Sequence, residues 1–340
     1  THSFTLFPYT TLFRSMPKIL HTYRYTGKPW EILQSVVPAG FEIKTLDNPT
    51  QEQLVKEAAD ADYFLVSGRL LINEDVLAAA KNLKMIQRTG VGTEMLDKDA
   101  IKACNIPVYV NAGINARSVA EHTVTLILNC LKNIPLISSN VKKGVWKKQE
   151  TGVSCNELFG KTVAMVGMGN IGRITAGILH AFGANIIYTD IFRQSEDVEK
   201  TLGISFRASF DELLPDADIL SFHCPLTSDN QKILNAEAIE KMKDGAIVVN
   251  TARGKLIDED ALYKTLVSGK LRAAGLDVHF EEPMLADDPL KTLDNVILTP
   301  HIAGLSFETF RSMMAGAIEN IVAFENGKLD EIEQKKLDFA

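Results

Sequence analysis

The sequence contains no apolar run that approaches the roughly 18 residues a membrane-spanning helix needs. Cysteine is scarce, and the four cysteines show neither a CxxC spacing nor another pairing signature, which is typical of reduced thiols in a cytosolic protein. Basic residues are not in excess either, because the formal net charge is −7. This charge argues against nucleic acid or an anionic membrane as the main partner. We therefore expect a soluble, cytoplasmic protein that binds a small molecule.

The length and composition predict two folded domains. The 340 residues are 46% hydrophobic and 23% charged, as in ordinary globular proteins. A single hydrophobic core stops growing near about 250–300 residues, so a chain of this length is expected to divide.

The first fifteen residues do not fit a globular pattern. They have no basic start, continuous apolar block or small-residue cleavage site, so they do not predict a signal peptide. Because Thr5 to Ser15 reads as the translation of a sequencing adapter, we expect residues 1–15 to be a non-native segment and Met16 to be the true start.

From Met16 onward, short β-type runs alternate with helical ones. The predicted strands are Lys18–Tyr23, Phe41–Leu46, Tyr63–Ser67, Lys84–Arg88 and Val108–Asn111, and the predicted helices between them are Gln51–Ala59, Glu74–Ala80 and Lys98–Cys104. This rhythm is typical of an α/β fold with a doubly wound parallel sheet.

A long helix is predicted from Ala116 to about Ile134, followed by Pro135 and a polar, lysine-rich stretch. We interpret it as a connection that leaves the first unit and forms an arm for a second subunit. A second series of strands then begins at Lys161, with the runs TVAMVG, NIIYTD, DILSFHC, AIVVNT, LRAAGLDV and NVILTP, and a last helix is predicted over Phe307 to Phe324. Two doubly wound parallel-sheet domains are therefore expected, with a cleft between them.

A glycine loop follows the first strand of this second series. Gly167, Gly169 and Gly172 have the spacing GxGxxG between an apolar strand and a helix. Such glycines permit a tight turn, the approach of a pyrophosphate and close packing of helix on strand, and the helix N-terminus attracts the anion. The next strand ends at Asp190, where a carboxylate can accept hydrogen bonds from ribose hydroxyls and disfavours a 2′-phosphate. The pattern predicts NAD binding, although Arg193 nearby leaves NADP open.

Polar residues of three types follow three later strands. Arg253 follows AIVVNT, Glu282 follows AAGLDV and His301 follows NVILTP. If these strands are parallel neighbours, their carboxyl ends share the edge at which open α/β sheets bind ligands. A guanidinium can grip a carboxylate, an imidazole can exchange a proton, and an acid beside the imidazole favours its protonated form. Together they suit a 2-hydroxy or 2-keto acid, whereas singly they could be a capping arginine, a solvated acid and a histidine bonded to backbone.

The motifs resemble the D-isomer-specific 2-hydroxyacid dehydrogenases, the family that includes phosphoglycerate dehydrogenase. The resemblance rests on GMGNIG, Asp190, HCPLT, NTARG, LDVHFEEP and TPHIAG, in the family's order, and extends upstream to RTGVGTEMLD and NARSVAEH. It implies a catalytic set of Arg253, Glu282 and His301. His279 stands where the family often has Phe, and we expect it to be peripheral. The chain ends soon after the last predicted helix, so no regulatory domain is expected.

The resemblance also implies the domain boundaries and the binding residues. The substrate-binding domain would comprise residues 16–111 and 305–330, and the NAD-binding domain residues 112–304, through which the protein would form a homodimer. No metal is implied. The implied cofactor contacts are Gly167, Gly169, Asn170, Ile171, Gly172, Asp190, His223, Cys224, Pro225, Thr251, Ala252, Asp277, His301 and Gly304. The implied substrate contacts are Ser67, Gly68, Arg88, Val91, Gly92, Arg253 and His301.

Within this family, the resemblance favours an NAD-dependent oxidoreductase that interconverts a D-2-hydroxy acid and its 2-keto acid. Two alternatives are a non-catalytic NADH sensor similar to the family's co-repressors, and formate oxidation, which the resemblance disfavours because that branch has glutamine in place of the glutamate. Arg69 and Arg88 border the expected cleft and leave open a second anionic group on the substrate. The phosphoglycerate enzymes commonly have a further arginine near the position of Ser67, so its absence here argues against phosphate specificity.

Overall fold

The computed structural model describes residues 16–68 and 70–338. The segment expected to be non-native, residues 1–15, and Arg69 lie outside these ranges. Asn115–Thr309 forms one compact unit, and the described residues on either side of it form another.

The first unit is built on a five-stranded parallel sheet in the order β2-β1-β3-β4-β5. Its strands are β1 Lys18–His21, β2 Glu42–Thr45, β3 Tyr63–Val66, β4 Met85–Arg88 and β5 Val108–Tyr109. The central strand β3 reads YFLV and is buried at every position, as expected for a parallel sheet covered on both faces. The five strands predicted for this unit are confirmed.

Helices α1 Lys28–Val36, α2 Gln51–Ala58, α3 Glu74–Ala79 and α4 Lys98–Ala103 connect these strands. The side chains of Thr50, Asn73 and Asp97 cap α2, α3 and α4 by accepting a backbone N–H of the first turn. Helix α1, which has no side-chain cap, was not predicted from the sequence.

Three helices open the second unit: α5 Ala116–Lys132, α6 Ile134–Lys142 and α7 Lys148–Ser154. The polar, lysine-rich stretch after Pro135 contains α6 and α7, two helices that were not predicted. The chain leaves α5 at Asn133, which has a left-handed conformation with φ 51°, and re-enters a helix with proline in its first turn. Proline is tolerated there because its missing N–H needs no intrahelical partner.

A seven-stranded parallel sheet forms the rest of the second unit. Its strands are β6 Thr162–Val166, β7 Asn185–Thr189, β8 Ile204–Phe206, β9 Ile219–Phe222, β10 Ala246–Asn250, β11 Leu271–Leu276 and β12 Val296–Leu298. The order is β12-β11-β10-β9-β6-β7-β8. Strand addition therefore reverses direction at β6, and open α/β sheets bind ligands at such a switch point. β8 was not predicted, whereas the other six strands were.

Helices α8 Asn170–Ala181, α9 Glu196–Leu202, α10 Ala236–Lys241 and α11 Glu259–Ser268 belong to this sheet, and α12 Phe307–Glu325 returns the chain to the first unit. β10, β11 and β12 are adjacent and parallel, which confirms that Arg253, Glu282 and His301 follow neighbouring strands. Within the described part of the chain, no helix combines the length and hydropathy needed to cross a membrane.

Candidate active site

The glycine loop between β6 and α8 forms a cradle, and side chains at its glycine positions would either collide with the backbone or occupy the open space. An added Cβ at Gly172 would lie 2.5 Å from the carbonyl oxygen of Gly167, so helix and loop approach too closely for any other residue. At Gly169, in contrast, an added Cβ would meet nothing within 4 Å. α8 begins beside this open space at Asn170 and Ile171, and no side chain caps it. Its first-turn N–H groups can therefore bind a pyrophosphate, and the cradle fits a dinucleotide.

Asp190, at the end of β7, orders this loop. Its carboxylate accepts the N–H of Met168 at 2.5 Å and that of Phe192 at 3.1 Å. Arg193, which left NADP open, donates from Nε and Nη2 to Glu199 at 2.9 Å each. Both bonds pair this arginine with a neighbouring carboxylate and not with a position for a 2′-phosphate. This pairing favours NAD over NADP.

His223, Cys224 and Pro225 follow β9 on the other side of the loop. The Nε2 atom of His223 lies 2.9 Å from the hydroxyl of Ser221, and its Nδ1 is buried without a partner in residues 16–68 and 70–338. Burial lowers the pKa of His223 to about 4 and raises the pKa of the Cys224 thiol to about 11. Both shifts favour the neutral forms of these side chains near neutral pH.

Glu282 and His301 form a hydrogen-bonded pair. Nδ1 of His301 lies 2.8 Å from Oε2 of Glu282, with 46% of the His301 side chain and 22% of the Glu282 side chain exposed. Because a carboxylate only accepts, Nδ1 carries the proton in this bond. The other ring nitrogen, Nε2, is left to take or give a proton.

His301 has a left-handed backbone conformation, with φ 58°. Its N–H donates to the carbonyl oxygens of Asp277 at 2.7 Å and Thr299 at 3.0 Å. The fully buried Asp277 carboxylate then accepts the N–H groups of Ile302 at 2.9 Å and Ala303 at 2.8 Å, and the hydroxyl of Thr299 at 2.6 Å. Asp277 therefore holds the turn that carries His301.

The position of Gly304, after this turn, leaves little room for a side chain. An added Cβ there would lie 2.8 Å from the side-chain nitrogen of Asn115. His122, on α5, also contacts the turn: its Nε2 lies 3.1 Å from the hydroxyl of Thr299 and 3.6 Å from Oδ1 of Asp277.

Arg253 is held in place at the end of β10. The side chain of Asn250 accepts the N–H of Ala252 at 3.0 Å and donates to the carbonyl oxygen of Arg253 at 2.8 Å. The guanidinium is partly buried and donates from Nη1 to the Ala252 carbonyl oxygen at 2.7 Å. Thr251, in the same turn, is buried, and its hydroxyl lies 2.8 Å from that of Thr123 on α5. β10 therefore ends in a turn that its own side chains fix.

His279, which was expected to be peripheral, contacts residues around Glu282 and His301. Its backbone N–H donates to Oε1 of Glu282 at 3.0 Å, and its Nε2 lies 2.8 Å from the carbonyl oxygen of Thr299. An added Cβ at Gly254 would lie 2.0 Å from the His279 carbonyl oxygen. His279 thus contacts each of the three segments that carry Arg253, Glu282 and His301.

The remaining predicted substrate contacts belong to the first unit, where they follow β3 and β4. The hydroxyl of Ser67 lies 2.5 Å from Nε2 of His21, and burial lowers the pKa of that histidine to about 3. Arg88 donates from Nε to the Gly92 carbonyl oxygen at 2.7 Å and from Nη1 to that of Val66 at 3.3 Å. Gly68 directly follows Ser67, and Val91 directly precedes Gly92. The guanidinium of Arg88 therefore connects the two loops that carry these residues.

Sequence reasoning missed Thr299, His122 and Asn250. Thr299 and Asn250 lie inside the motifs TPHIAG and NTARG, but their roles depend on partners that no local pattern indicates. His122 is 177 residues from Thr299, so only the fold brings them together.

Comparison with known proteins identifies the family of this chain. Residues 124–303 match the model of the D-isomer specific 2-hydroxyacid dehydrogenase, NAD binding domain. The chain is also 38% identical to the hydroxypyruvate reductase of Thermotoga maritima, over 82% of this chain and 89% of that enzyme. The chain belongs to the D-isomer specific 2-hydroxyacid dehydrogenase family. The matched part of the chain corresponds to the NAD-binding domain of that family.

Two further relatives show how far the likeness to the family extends. The D-3-phosphoglycerate dehydrogenase of Methanocaldococcus jannaschii is 39% identical over 93% of this chain, but the chain spans only 59% of that enzyme. The solved structure of D-lactate dehydrogenase from Aquifex aeolicus, with NAD and lactic acid, has a TM-score of 0.79 and 30% identity, covering 94% of this chain and 98% of that one.

Gly254→Ala tests the contact between the Arg253 turn and His279. The added methyl would collide with backbone atoms that cannot rotate away, so we expect a loss of about 1–3 kcal/mol in the free energy of unfolding together with loss of NADH-dependent turnover. Gly177→Ala, on α8, is the matched control, because a Cβ there meets only a side-chain carbon of Leu202 at the ordinary contact distance of 3.7 Å. Denaturant unfolding of both variants checks the prediction, and equal stability of Gly254→Ala and wild type would contradict the close approach.

Asp190 substitutions test the cofactor preference. Asp190→Ala removes both the charge and the acceptor for the Met168 N–H, so the NADP/NAD ratio of kcat/KM should rise by roughly tenfold or more. Asp190→Asn retains an acceptor and should isolate the effect of charge. Arg193→Ala should leave the ratio unchanged because this arginine is bonded to Glu199. An unchanged ratio in both Asp190 variants would remove the carboxylate from cofactor selection.

Proposed function

We propose that the protein interconverts a D-2-hydroxy acid and its 2-keto acid, with Arg253, Glu282 and His301 as the catalytic residues. The observation that carries this proposal is the 2.8 Å bond between Glu282 and His301, at the carboxyl edge of the sheet that also carries the glycine loop. Bound NADH supplies the hydride that reduces the keto carbon.

The chain's own residues supply the proton and the binding of the substrate carboxylate. His301 donates a proton from Nε2 to the carbonyl oxygen as the hydride is transferred, and it takes the proton back in the oxidative direction. Glu282 stabilises the protonated imidazole and keeps Nδ1 as its partner nitrogen. Arg253 binds the substrate carboxylate through two parallel hydrogen bonds, which a planar guanidinium is suited to make.

The remaining binding residues are assigned from the resemblance of the motifs to those of the family. Cofactor contacts are proposed at Gly167, Gly169, Asn170, Ile171, Gly172, Asp190, His223, Cys224, Pro225, Thr251, Ala252, Asp277, His301 and Gly304. Ser67, Gly68, Arg88, Val91 and Gly92 are proposed to contribute to the substrate site from residues 16–111, which with residues 305–330 would form the substrate-binding domain. Residues 112–304 would form the NAD-binding domain.

The names of the relatives suggest the substrates to try first. Phosphohydroxypyruvate and hydroxypyruvate follow from the phosphoglycerate dehydrogenase and the hydroxypyruvate reductase. Cys104, Cys130, Cys155 and Cys224 are all free thiols, which supports a reducing, cytoplasmic setting for the reaction.

A substrate panel with a His301 variant tests the proposed reaction. NADH oxidation would be followed with glyoxylate, hydroxypyruvate, pyruvate, phosphohydroxypyruvate and 2-oxoglutarate. His301→Gln should lower turnover of the best substrate by roughly 10²-fold or more, the usual size of a general acid/base contribution, while NADH binding stays near that of wild type. Absence of turnover with a broad set of 2-keto acids would contradict an enzyme and favour an NADH sensor. Equal turnover by His301→Gln would remove this residue from the mechanism.

We also propose that the protein forms a homodimer through the segment α6–α7, defined as residues 134–154. The structure buries no residue of either helix, yet the segment carries large apolar side chains, with Trp146 79% and Val153 87% exposed. Ile134 and Val141 are also exposed. Exposed apolar groups concentrated on one segment are typical of protein interfaces, and a second copy of the same chain is the commonest partner.

A charge-introducing double variant tests this interface. Trp146→Glu with Val153→Asp should convert a dimer into a monomer in light-scattering measurements, because two carboxylates would be desolvated against apolar surface. Val267→Asp is the control, because Val267 is exposed on α11 outside the segment and should leave the mass unchanged. A monomeric wild type, or a double variant that stays dimeric, would contradict the proposal.

A further inference from the structure

Three strand-end segments meet at one residue that the proposed reaction does not use. Gly254 follows Arg253, Glu282 belongs to the loop after β11, and Thr299 precedes His301 by two residues. His279 contacts all three: its carbonyl lies against Gly254, its N–H binds Glu282 and its ring binds Thr299. We propose that His279 is a positioning residue that aligns Glu282 with His301. This inference rests on the proposed function of His301.

The bond from His279 to Glu282 fixes one end of the pair. The N–H of His279 donates to Oε1 of Glu282 at 3.0 Å, while Oε2 accepts from His301 at 2.8 Å. One carboxylate oxygen is therefore held by the backbone and the other faces the imidazole. This arrangement sets the orientation of the carboxylate, and it depends on where the His279 backbone lies.

The His279 ring fixes the other end. Its Nε2 lies 2.8 Å from the carbonyl oxygen of Thr299, which also accepts the N–H of His301 at 3.0 Å. The same carbonyl therefore connects His279 directly to the turn on which His301 has its left-handed conformation. That conformation is unfavourable for a residue with a Cβ and persists only where surrounding bonds determine it.

The hydrogen-bond chemistry assigns the tautomer of His279. A carbonyl oxygen only accepts, so the proton of a neutral His279 lies on Nε2. Nδ1 is then a lone pair, and it is buried with no partner among the described residues. The bond from Nε2 to Thr299 is therefore the contact of this ring that the substitutions below test.

The charged and titratable groups around the pair belong to several segments. Arg253 follows β10, the Asp277 carboxylate lies beneath the His301 turn and accepts its N–H groups, and His122 approaches Asp277 from α5 at 3.6 Å. None of these replaces the bond from His279 to Thr299. A change at His279 therefore tests alignment while it leaves the surrounding charges in place.

Three substitutions of different reach test the proposal. Gln can place an amide nitrogen about where Nε2 of histidine lies, whereas the shorter Asn cannot, and Phe retains the ring without a donor. His279→Phe and His279→Asn should lower kcat by roughly three- to tenfold, the effect of one hydrogen bond, with little change in KM for NADH. His279→Gln should restore most of the loss. His180→Phe, at an exposed position on α8, should leave kcat unchanged.

A measurement independent of turnover separates this inference from the proposed function. With ¹⁵N-labelled histidine, the His301 ring resonances at one pH should move in His279→Phe and His279→Asn toward their positions in Glu282→Gln, and should stay near wild type in His279→Gln. If wild type reduces no 2-keto acid, the reaction assignment fails but these resonances still report alignment. His301 resonances unchanged in His279→Asn, or a Gln variant as impaired as the Asn variant, would overturn the inference. The Asn and Gln pair decides the matter even if His279→Phe does not fold.

Discussion

The buried carboxylate of Asp277 is the constraint on which the proposed acid/base residue depends. A carboxylate with no exposure to water must be surrounded by donors, because an unpaired buried charge is very unfavourable. Here the donors are the N–H groups of Ile302 and Ala303 and the hydroxyl of Thr299. The same hydrogen bonds thus compensate the buried charge of Asp277 and hold the turn that carries His301.

The magnitudes explain why His301 can keep an unfavourable backbone conformation. A left-handed residue with a Cβ costs about 1–2 kcal/mol, whereas a hydrogen bond to a charged group contributes about 1.5–3 kcal/mol. Two backbone N–H groups bound to Asp277 on the residues after His301 are therefore enough to offset the cost. The strain is local, and the bonds that offset it come from the adjacent strand end.

The sequence predicted the parts of this site that follow from strand order. Arg253, Glu282 and His301 each follow an apolar strand, and parallel neighbours end at one edge, so their common location could be expected. His279 could not be placed in this way, because its partner Thr299 is 20 residues away and the bond is to a backbone carbonyl. Arg88 illustrates the same limit, since it donates to the backbone carbonyl oxygens of Gly92 and Val66.

For the fold, the pattern of apolar residues in the sequence predicted the long apolar strands better than the short or polar elements. β8 has three residues and no continuous apolar run, and α1 has no capping side chain. Helix α6 was not predicted after Pro135, although proline in a first turn is compatible with a new helix. These differences lie outside the strand ends, which is why they did not affect the prediction of the site residues.

The relative positions of the proposed site residues in the second unit follow from its sheet. The glycine loop, the Arg253 turn, the Glu282 loop and the His301 turn all begin at carboxyl ends of strands joined by parallel hydrogen bonds. Distances among groups fixed to one hydrogen-bonded sheet change little as loops move, because the ladder resists shear. Proton transfer is sensitive to tenths of an ångström, since its donor and acceptor must be within hydrogen-bonding distance. The distance between Glu282 and His301 is therefore well defined, because these residues follow adjacent strands. His279 contacts the segments that carry both.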